Sequence, residues 1–478
     1  MHRCLSGKSG AGGAFSRHAD LYRQRRGLLE TPECRFAAPE AQEEKINTAM
    51  KAEDKKPSRR ERLAKKIKTN LSMTVRELFE QIDEDRSRPK AMAYFDSIFK
   101  NFTGGGENVV QVPEGQKVIG TYCVFVPEEL VYAAGAHPVR LCAGTYESSE
   151  VGEEYLPDVA CPMVKSEMGL ETMPILDFYQ KCDLVALPGS CHWKLKMAEM
   201  LEERKPVHVL DVPRIKEREN SRQYWLEEVK NFKAAVEKTT GTRITRKTLK
   251  GAIRTVQAAQ VEVHRFFELR KAIPAPILGR DALAVMNAYF YDDVSRWAAA
   301  LAELNDELEQ RIAEGVHVAP ASSARILLTG SPMVFPNWKV PMIIEDLGGV
   351  LVADEFCTSQ RYLSDMVAMD EGTLNDMMMA IAERYVLPCS CPMFSNTLER
   401  RDKLLQLIEE AQVEGVIYHI LKGCHPYDIE LKMMEKLMQD KGIPMLKIET
   451  DYSPQDVEQL RTRIEAFQET LRGRRRVQ

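Results

Sequence analysis

The chain has 478 residues, 44% of them hydrophobic, which is enough for two or three domains with real cores. Its 66 basic residues stand against 71 acidic ones, and a net charge of −5 offers nucleic acid no bulk attraction. No apolar run approaches the roughly eighteen residues of a membrane span, and eleven cysteines, an odd number with no secretory signal ahead of them, exclude a disulfide framework. A cytoplasmic protein is expected, whose cysteines serve as metal ligands or redox groups.

Residues 1–49 are rich in Gly, Arg and Ser and lack an apolar period. They read as a disordered tail, or as the product of a start assigned too early, with Met50 the true start; Cys4 and Cys34 then carry no chemistry. Residues 55–68 hold eight basic residues and one acid, with Leu63 and Ile67 the only large apolar ones, the pattern of a solvated helix face. Residues 71–99 read as helix, within an N-terminal helical region spanning 50–115. A first α/β domain, 116–213, follows. Its strand 117–122 delivers Cys123, Pro127 opens a helix that Gly135 ends, and a second strand, 139–142, carries Cys142. Cys182 precedes the strand 183–187, at the opposite edge, where it packs. Residues 214–320 form a helical insertion with patterns around Trp225–Val236, Val256–Phe267 and 282–312. A second α/β domain, 321–478, has strands at 325–330, 350–353, 416–420 and 445–448, and a final helix over 455–472.

The two α/β segments repeat one unit. Residues 416–420 form a short buried-strand run ending at Lys422-Gly423-Cys424-His425, and a helical pattern starts at once. Residues 183–187 do the same ahead of Ser190-Cys191-His192. A Cys-Pro-Met lies upstream in each copy, at Cys161 and Cys391, spaced 30 and 33 residues from the cysteine at the strand end. The fold class expected is therefore α/β: two similar parallel-sheet domains facing a cleft, with a helical insertion between them. Each cysteine sits where open parallel sheets bind ligands and where a helix N-terminus favours a thiolate.

The run Gly120-Thr-Tyr-Cys-Val-Phe-Val-Pro-Glu-Glu-Leu130, with Pro138-Val139-Arg140-Leu141, Cys161-Pro-Met-Val-Lys-Ser166, Asn337-Trp338-Lys339, Ala353-Asp354-Glu355-Phe356-Cys357, Asn396, Arg400 and the Cys424 unit, resembles the 2-hydroxyacyl-CoA dehydratase family over about residues 70–470. That family includes benzoyl-CoA reductase subunits and the double-cubane cluster proteins. The resemblance implies an oxygen-sensitive iron–sulfur enzyme working anaerobically, with Cys123, Cys161 and Cys191 holding one cubane. Cys357, Cys389 and Cys424 would extend the set to an [8Fe-9S] double cubane, with Cys142 and Cys391 as alternates. It also implies an ATP-dependent reductase (activator) as partner, a small-molecule substrate, and a homodimer or a pairing with a paralogue. The chain has no Gly-x-x-x-x-Gly-Lys-Ser/Thr loop for nucleotide. His192, His425, Glu128 and Ser166 are candidates for groups behind the ligands or for proton donors; the two histidines fit equally as turn residues, and Glu128 as a first-turn residue favoured by the helix dipole. The alternatives are a [4Fe-4S] subunit of a 2-hydroxyacyl-CoA dehydratase, which eliminates water from a CoA thioester, and, from another class, an electron carrier or a zinc-held structural protein.

Overall fold

The computed structural model describes residues 58–100, 112, 115–368 and 372–475, so the tail and Met50 lie outside the described residues. Eight strands form two separate four-stranded sheets, each entirely parallel. The first contains β1 (Val118–Thr121), β2 (His137–Arg140), β3 (Leu184–Pro188) and β4 (Val207–Leu210), in the order β2-β1-β3-β4. The second contains β5 (Arg325–Gly330), β6 (Val350–Asp354), β7 (Gly415–Leu421) and β8 (Met445–Thr450), in the order β6-β5-β7-β8. Six of the eight strands are buried along their whole length, because helices cover both faces.

The matching orders make the repeat structural as well as sequential. In each sheet the chain moves one way from its first strand and then returns to the other side, so the order reverses between β1 and β3 and between β5 and β7. Such a reversal opens a crevice at the carboxyl ends of those strands. Cys123 and Cys191 follow β1 and β3, and Cys424 follows β7.

Several expected elements change at their ends. The helix expected over 71–99 is two: α1 (Arg59–Asp83), capped by a reciprocal Ser58–Glu61 pair, and α2 (Met92–Lys100). Pro89 and the Asp85–Ser87 turn separate them, since proline lacks the N–H that a continuous helix needs. The basic face of α1 is exposed as expected, while Ala64, Ile67, Leu71, Val75, Phe79 and Ile82 form its buried stripe. This helix spans the two halves: Arg60 donates to Tyr155 and to the Thr172 carbonyl, and Gln81 donates to Asp346. The insertion contains Glu219–Thr240, Arg246–Leu269, Gly279–Ala288 and Val294–Glu314. The single helix expected over 282–312 breaks because Asp293 caps a new N-terminus by accepting from the Ser295 and Arg296 amides. No helix among the described residues is long and apolar enough to cross a membrane.

One helix crossing sets the position of Cys161. Helices Tyr146–Gly152 and Pro162–Thr172 meet with backbones in contact: a Cβ on Gly169 would lie 1.9 Å from the Ser148 carbonyl oxygen, and one on Gly152 would lie 2.0 Å from that of Lys165. Only glycine permits this approach, and Cys161 is the N-cap of the second helix. Gly169→Ala is expected to cost about 1–3 kcal/mol or more through overpacking, read as a lower urea midpoint at unchanged m-value.

Candidate functional site

Seven cysteines line one cavity of about 80 Å³ between the two sheet edges. Cys123, Cys142, Cys161 and Cys191 come from the first half; Cys357, Cys391 and Cys424 come from the second. Three of them are helix N-caps: Cys161, Cys191 (helix His192–Glu202) and Cys424 (helix His425–Asp440). Cys123 has a left-handed backbone (φ 60°), a strained conformation for a non-glycine residue, held by the packing around it. Among the described residues, no three His, Cys, Asp or Glu side chains form a site for a single ion. The thiols surround a space rather than converge on a point.

The two Cys-Pro-Met copies differ. Cys161 starts a helix at once, whereas Cys391 sits in a turn, its carbonyl accepting from Phe394, and the next helix begins only at Leu398. Cys389 is buried but does not line the cavity; Cys391 does. Cys182 packs as expected, its thiol donating to the Phe178 carbonyl. At the place in the second half that corresponds to Cys123 stands Ser331. Its hydroxyl accepts from the Leu421 amide at 3.0 Å, and its amide donates to the His419 carbonyl at 2.8 Å.

The halves touch at the cavity. Gly423 (φ +74°) presses against the first half so closely that a Cβ would lie 2.3 Å from the Val159 carbonyl oxygen, and Trp193 Nε1 donates to the Gly423 carbonyl at 3.2 Å. This contact brings Cys424 to Cys161. Cys424 donates its S–H to Cys161, which holds the Cys161 thiol below its usual range, aided by the Met163 and Val164 amides at the helix N-terminus. Burial pushes Cys142 and Cys191 up to about 11 and Cys357 to about 12.

Cations balance this wall. Arg140 is 2% exposed, its guanidinium lies 4.5 Å from the Phe290 ring and 4.6 Å from that of Tyr362, and none of its three nitrogens has a hydrogen-bond partner among the described residues. A buried cation with unused donors beside thiols is a receptor for negative charge. Lys194, also on the cavity wall, is buried, ion-paired to Glu167 and lies over the Tyr122 ring.

In the second half one carboxylate organises three cysteine loops. Glu355 receives Arg361 and Arg400, and also Ser390 Oγ at 3.0 Å and Thr329 Oγ1 at 3.1 Å. Arg400 continues to Glu430 at 2.9 Å, and Arg361 to Tyr427 Oη at 3.0 Å. Burial opposes ionisation of Glu355, but Arg361 and Arg400 overcome it and hold the carboxyl below its usual range.

The other sequence candidates are distributed differently. His425 is exposed at the cavity rim, its ring 5.8 Å from Trp193, while His192 is exposed and off the cavity. Ser166 lies in the helix crossing, bonded to Ser148 Oγ at 2.7 Å and to the Thr145 amide. Glu128 is buried one layer behind, accepting from Tyr289 and from Tyr362, the tyrosine that also stacks on Arg140. Sequence reading missed Lys194 and Trp193, and it met Arg140 only inside a motif. The available signal for Arg140 was a charge in an otherwise apolar strand, Val139-Arg140-Leu141.

Two outcomes are expected. Arg400→Ala leaves Glu355 and Glu430 short of a buried partner and should destabilise the fold by about 3–5 kcal/mol in denaturant titration. Burial, then repulsion from Glu129, raises Glu128 to about 7. The native state therefore keeps a proton that the unfolded chain releases, and stability should fall as pH rises from about 4.5 to 7, by up to about 3 kcal/mol from this group. Glu128→Gln should flatten that part of the stability–pH curve.

The sequence matches the family model of the 2-hydroxyglutaryl-CoA dehydratase D-component over residues 123–471. Escherichia coli YjiM is 35% identical over 383 residues, covering 79% of this chain and 98% of that protein. The (R)-phenyllactyl-CoA dehydratase beta subunit of Clostridium sporogenes is 25% identical, covering 80% and 100%. A benzoyl-CoA reductase subunit of Thauera aromatica is 23% identical, covering 75% and 91%. With the family model spanning most of the chain and both parallel sheets in place, this protein belongs to the 2-hydroxyacyl-CoA dehydratase family, in the 2-hydroxyglutaryl-CoA dehydratase D-component group.

Proposed function

We propose that the chain is an iron–sulfur enzyme whose cluster is held by cysteines of both halves, and that it acts on a CoA thioester with electrons from an ATP-dependent reductase. The observation that carries this reading is the cavity lined by seven thiols and by an Arg140 guanidinium whose nitrogens have no hydrogen-bond partner among the described residues. Soft thiolates suit iron–sulfur clusters, and a buried cation without an acceptor suits an anionic guest. Cys123, Cys161 and Cys191 would hold the cluster from one side. Cys357, Cys424 and either Cys389 or Cys391 would hold it from the other, with Cys391 favoured by its place on the cavity wall. Cys142 remains the alternate. When bound, the cluster would supply low-potential single electrons.

The chain's own groups do the rest. The amides of Met163 and Val164 meet Cys161 at a helix N-terminus, and Arg140 offsets negative charge near Cys123, Cys142 and Cys357. Lys194, paired with Glu167, holds a proton at Nζ on the cavity wall. The apolar wall keeps bulk water away from reactive species. The thioester as substrate class is supported by the names of two relatives, a phenyllactyl-CoA dehydratase and a benzoyl-CoA reductase. Those names also denote subunits, which supports a complex, either with a second copy of this chain or with a paralogue.

The second reading is a dehydratase subunit with one [4Fe-4S] cluster on the first-half cysteines alone, favoured by the dehydratase relatives. Iron and acid-labile sulfide on oxygen-free protein separate the readings: about eight irons per chain for a double cubane and about four for a single one. Zinc in place of iron would overturn both. For the shared cluster, Cys424→Ala should lose roughly half or more of the iron, and Cys389→Ala should keep it. Arg140→Gln should lower the midpoint potential by about 60 mV or more, since 59 mV is tenfold for one electron.

A further inference from the structure

One serine is clamped where β5 and β7 end, directly behind Cys424. Ser331, the first residue after β5, is fully buried. Its amide donates to the His419 carbonyl at 2.8 Å, its carbonyl lies 3.2 Å from His419 Nδ1, and its hydroxyl accepts from the Leu421 amide at 3.0 Å. Leu421 is the last residue of β7, and its carbonyl accepts from the Cys424 amide at 2.9 Å. Ser331 and Cys424 are thus tied to the same residue, one through its N–H and the other through its C=O. The chain ahead of Ser331 is fixed as well: Gly330 has φ +121°, and a Cβ there would lie 1.9 Å from the His419 carbonyl oxygen.

A serine hydroxyl can accept and also donate its one proton. The Leu421 amide occupies a lone pair, and the proton is left over. It meets sulfur: the Ser331 side chain hydrogen-bonds to Cys424, a bond that favours the thiolate form against burial and against the neighbouring Cys161. Cys424 lines the thiol cavity, and Ser331 stands behind that wall. The hydroxyl therefore acts on the cavity through the Cys424 sulfur.

We propose that Ser331 is a positioning residue for electron transfer, whose hydroxyl donates to the Cys424 thiolate, fixes the direction of that sulfur and makes the group held there easier to reduce. The proposal rests on the reading of Cys424 as a cluster ligand and adds the residue that sets its poise from the second half. A donor to a ligand sulfur stabilises the more negative, reduced state more than the oxidised one, so its loss lowers the potential. Arg140 contributes from the first half as a charge; Ser331 contributes one directed bond.

The test is a redox titration of the intact, iron-loaded chain, kept free of oxygen and followed by electron paramagnetic resonance. Ser331→Ala should keep its iron and lower the midpoint potential by about 60 mV, a tenfold change in the reduction equilibrium for one electron. Ser331→Thr keeps the hydroxyl and should hold the potential of the unsubstituted chain. Ser331→Cys keeps the shape with a weaker donor, and its potential should fall between those of the alanine and threonine variants. An unchanged potential in Ser331→Ala overturns the proposal, as does an equal shift in Ser331→Ala and Ser331→Thr. Loss of iron from a folded Ser331→Ala, judged by circular dichroism, also overturns it, because the hydroxyl would then be holding the metal or the loop. Should the alanine variant not fold, an unchanged potential in Ser331→Cys overturns the proposal and a lowered one upholds it. Full iron retention in Cys424→Ala would instead remove the reading on which the proposal rests.

Discussion

Two arginines share one buried carboxylate beneath the edge of the second sheet, and the loops of the candidate site hang on that arrangement. Glu355 lies between Arg361 and Arg400, and Arg400 reaches Glu430, which also accepts from Tyr418. Cys357 is two residues from Glu355, Cys391 follows Ser390, and Cys424 precedes Tyr427 by three. All three neighbours bond into the network. Burying such charges is not in itself stabilising, because desolvation offsets most of the attraction. What it secures is geometry: the loops cannot shift without leaving a charge unpaired in a low dielectric.

The first half positions its cysteines by other means. Backbone contact at Gly169 and Gly152 fixes the helix that Cys161 caps, and the strained turn at Cys123 follows β1 directly. The duplication is therefore the same in strand order and unequal in chemistry. Where the first half has Cys123, the second has Ser331, spent on backbone hydrogen bonds between β5 and β7. An even fold with an uneven donor set makes the two sides of the cavity different, four thiols against three.

Behind the cavity the charges form layers. Arg140 faces the thiols, Tyr362 stacks on Arg140, and Glu128 accepts from Tyr362. A change of charge in the cavity would be felt first by Arg140 and next by this tyrosine–carboxyl pair, because interactions inside a dry protein are weakly screened. Tyr385 bonds to Glu129 from the other half, so the same layer also joins the two domains.

Local pattern alone determined much of this protein. Short apolar runs ending in Gly or Cys and followed by amphipathic periods identify parallel strands and helices, and the spaced Cys-Pro-Met units disclose the duplication, because strand and helix periods are written in neighbouring residues. The motif set that carried the family resemblance, including Glu355 and Arg400, was visible as well, though not its reason. Tertiary structure decided which cysteines meet. Cys389 and Cys391 are two residues apart, and only the path of the turn puts one on the cavity and the other behind it. It also decided that Ser166 belongs to a helix crossing, that His192 faces solvent, and that Arg140 and Lys194 converge on the thiol cavity. Those facts depend on contacts between residues tens to hundreds of positions apart, set by how two sheets and their covering helices pack, and no local period encodes them.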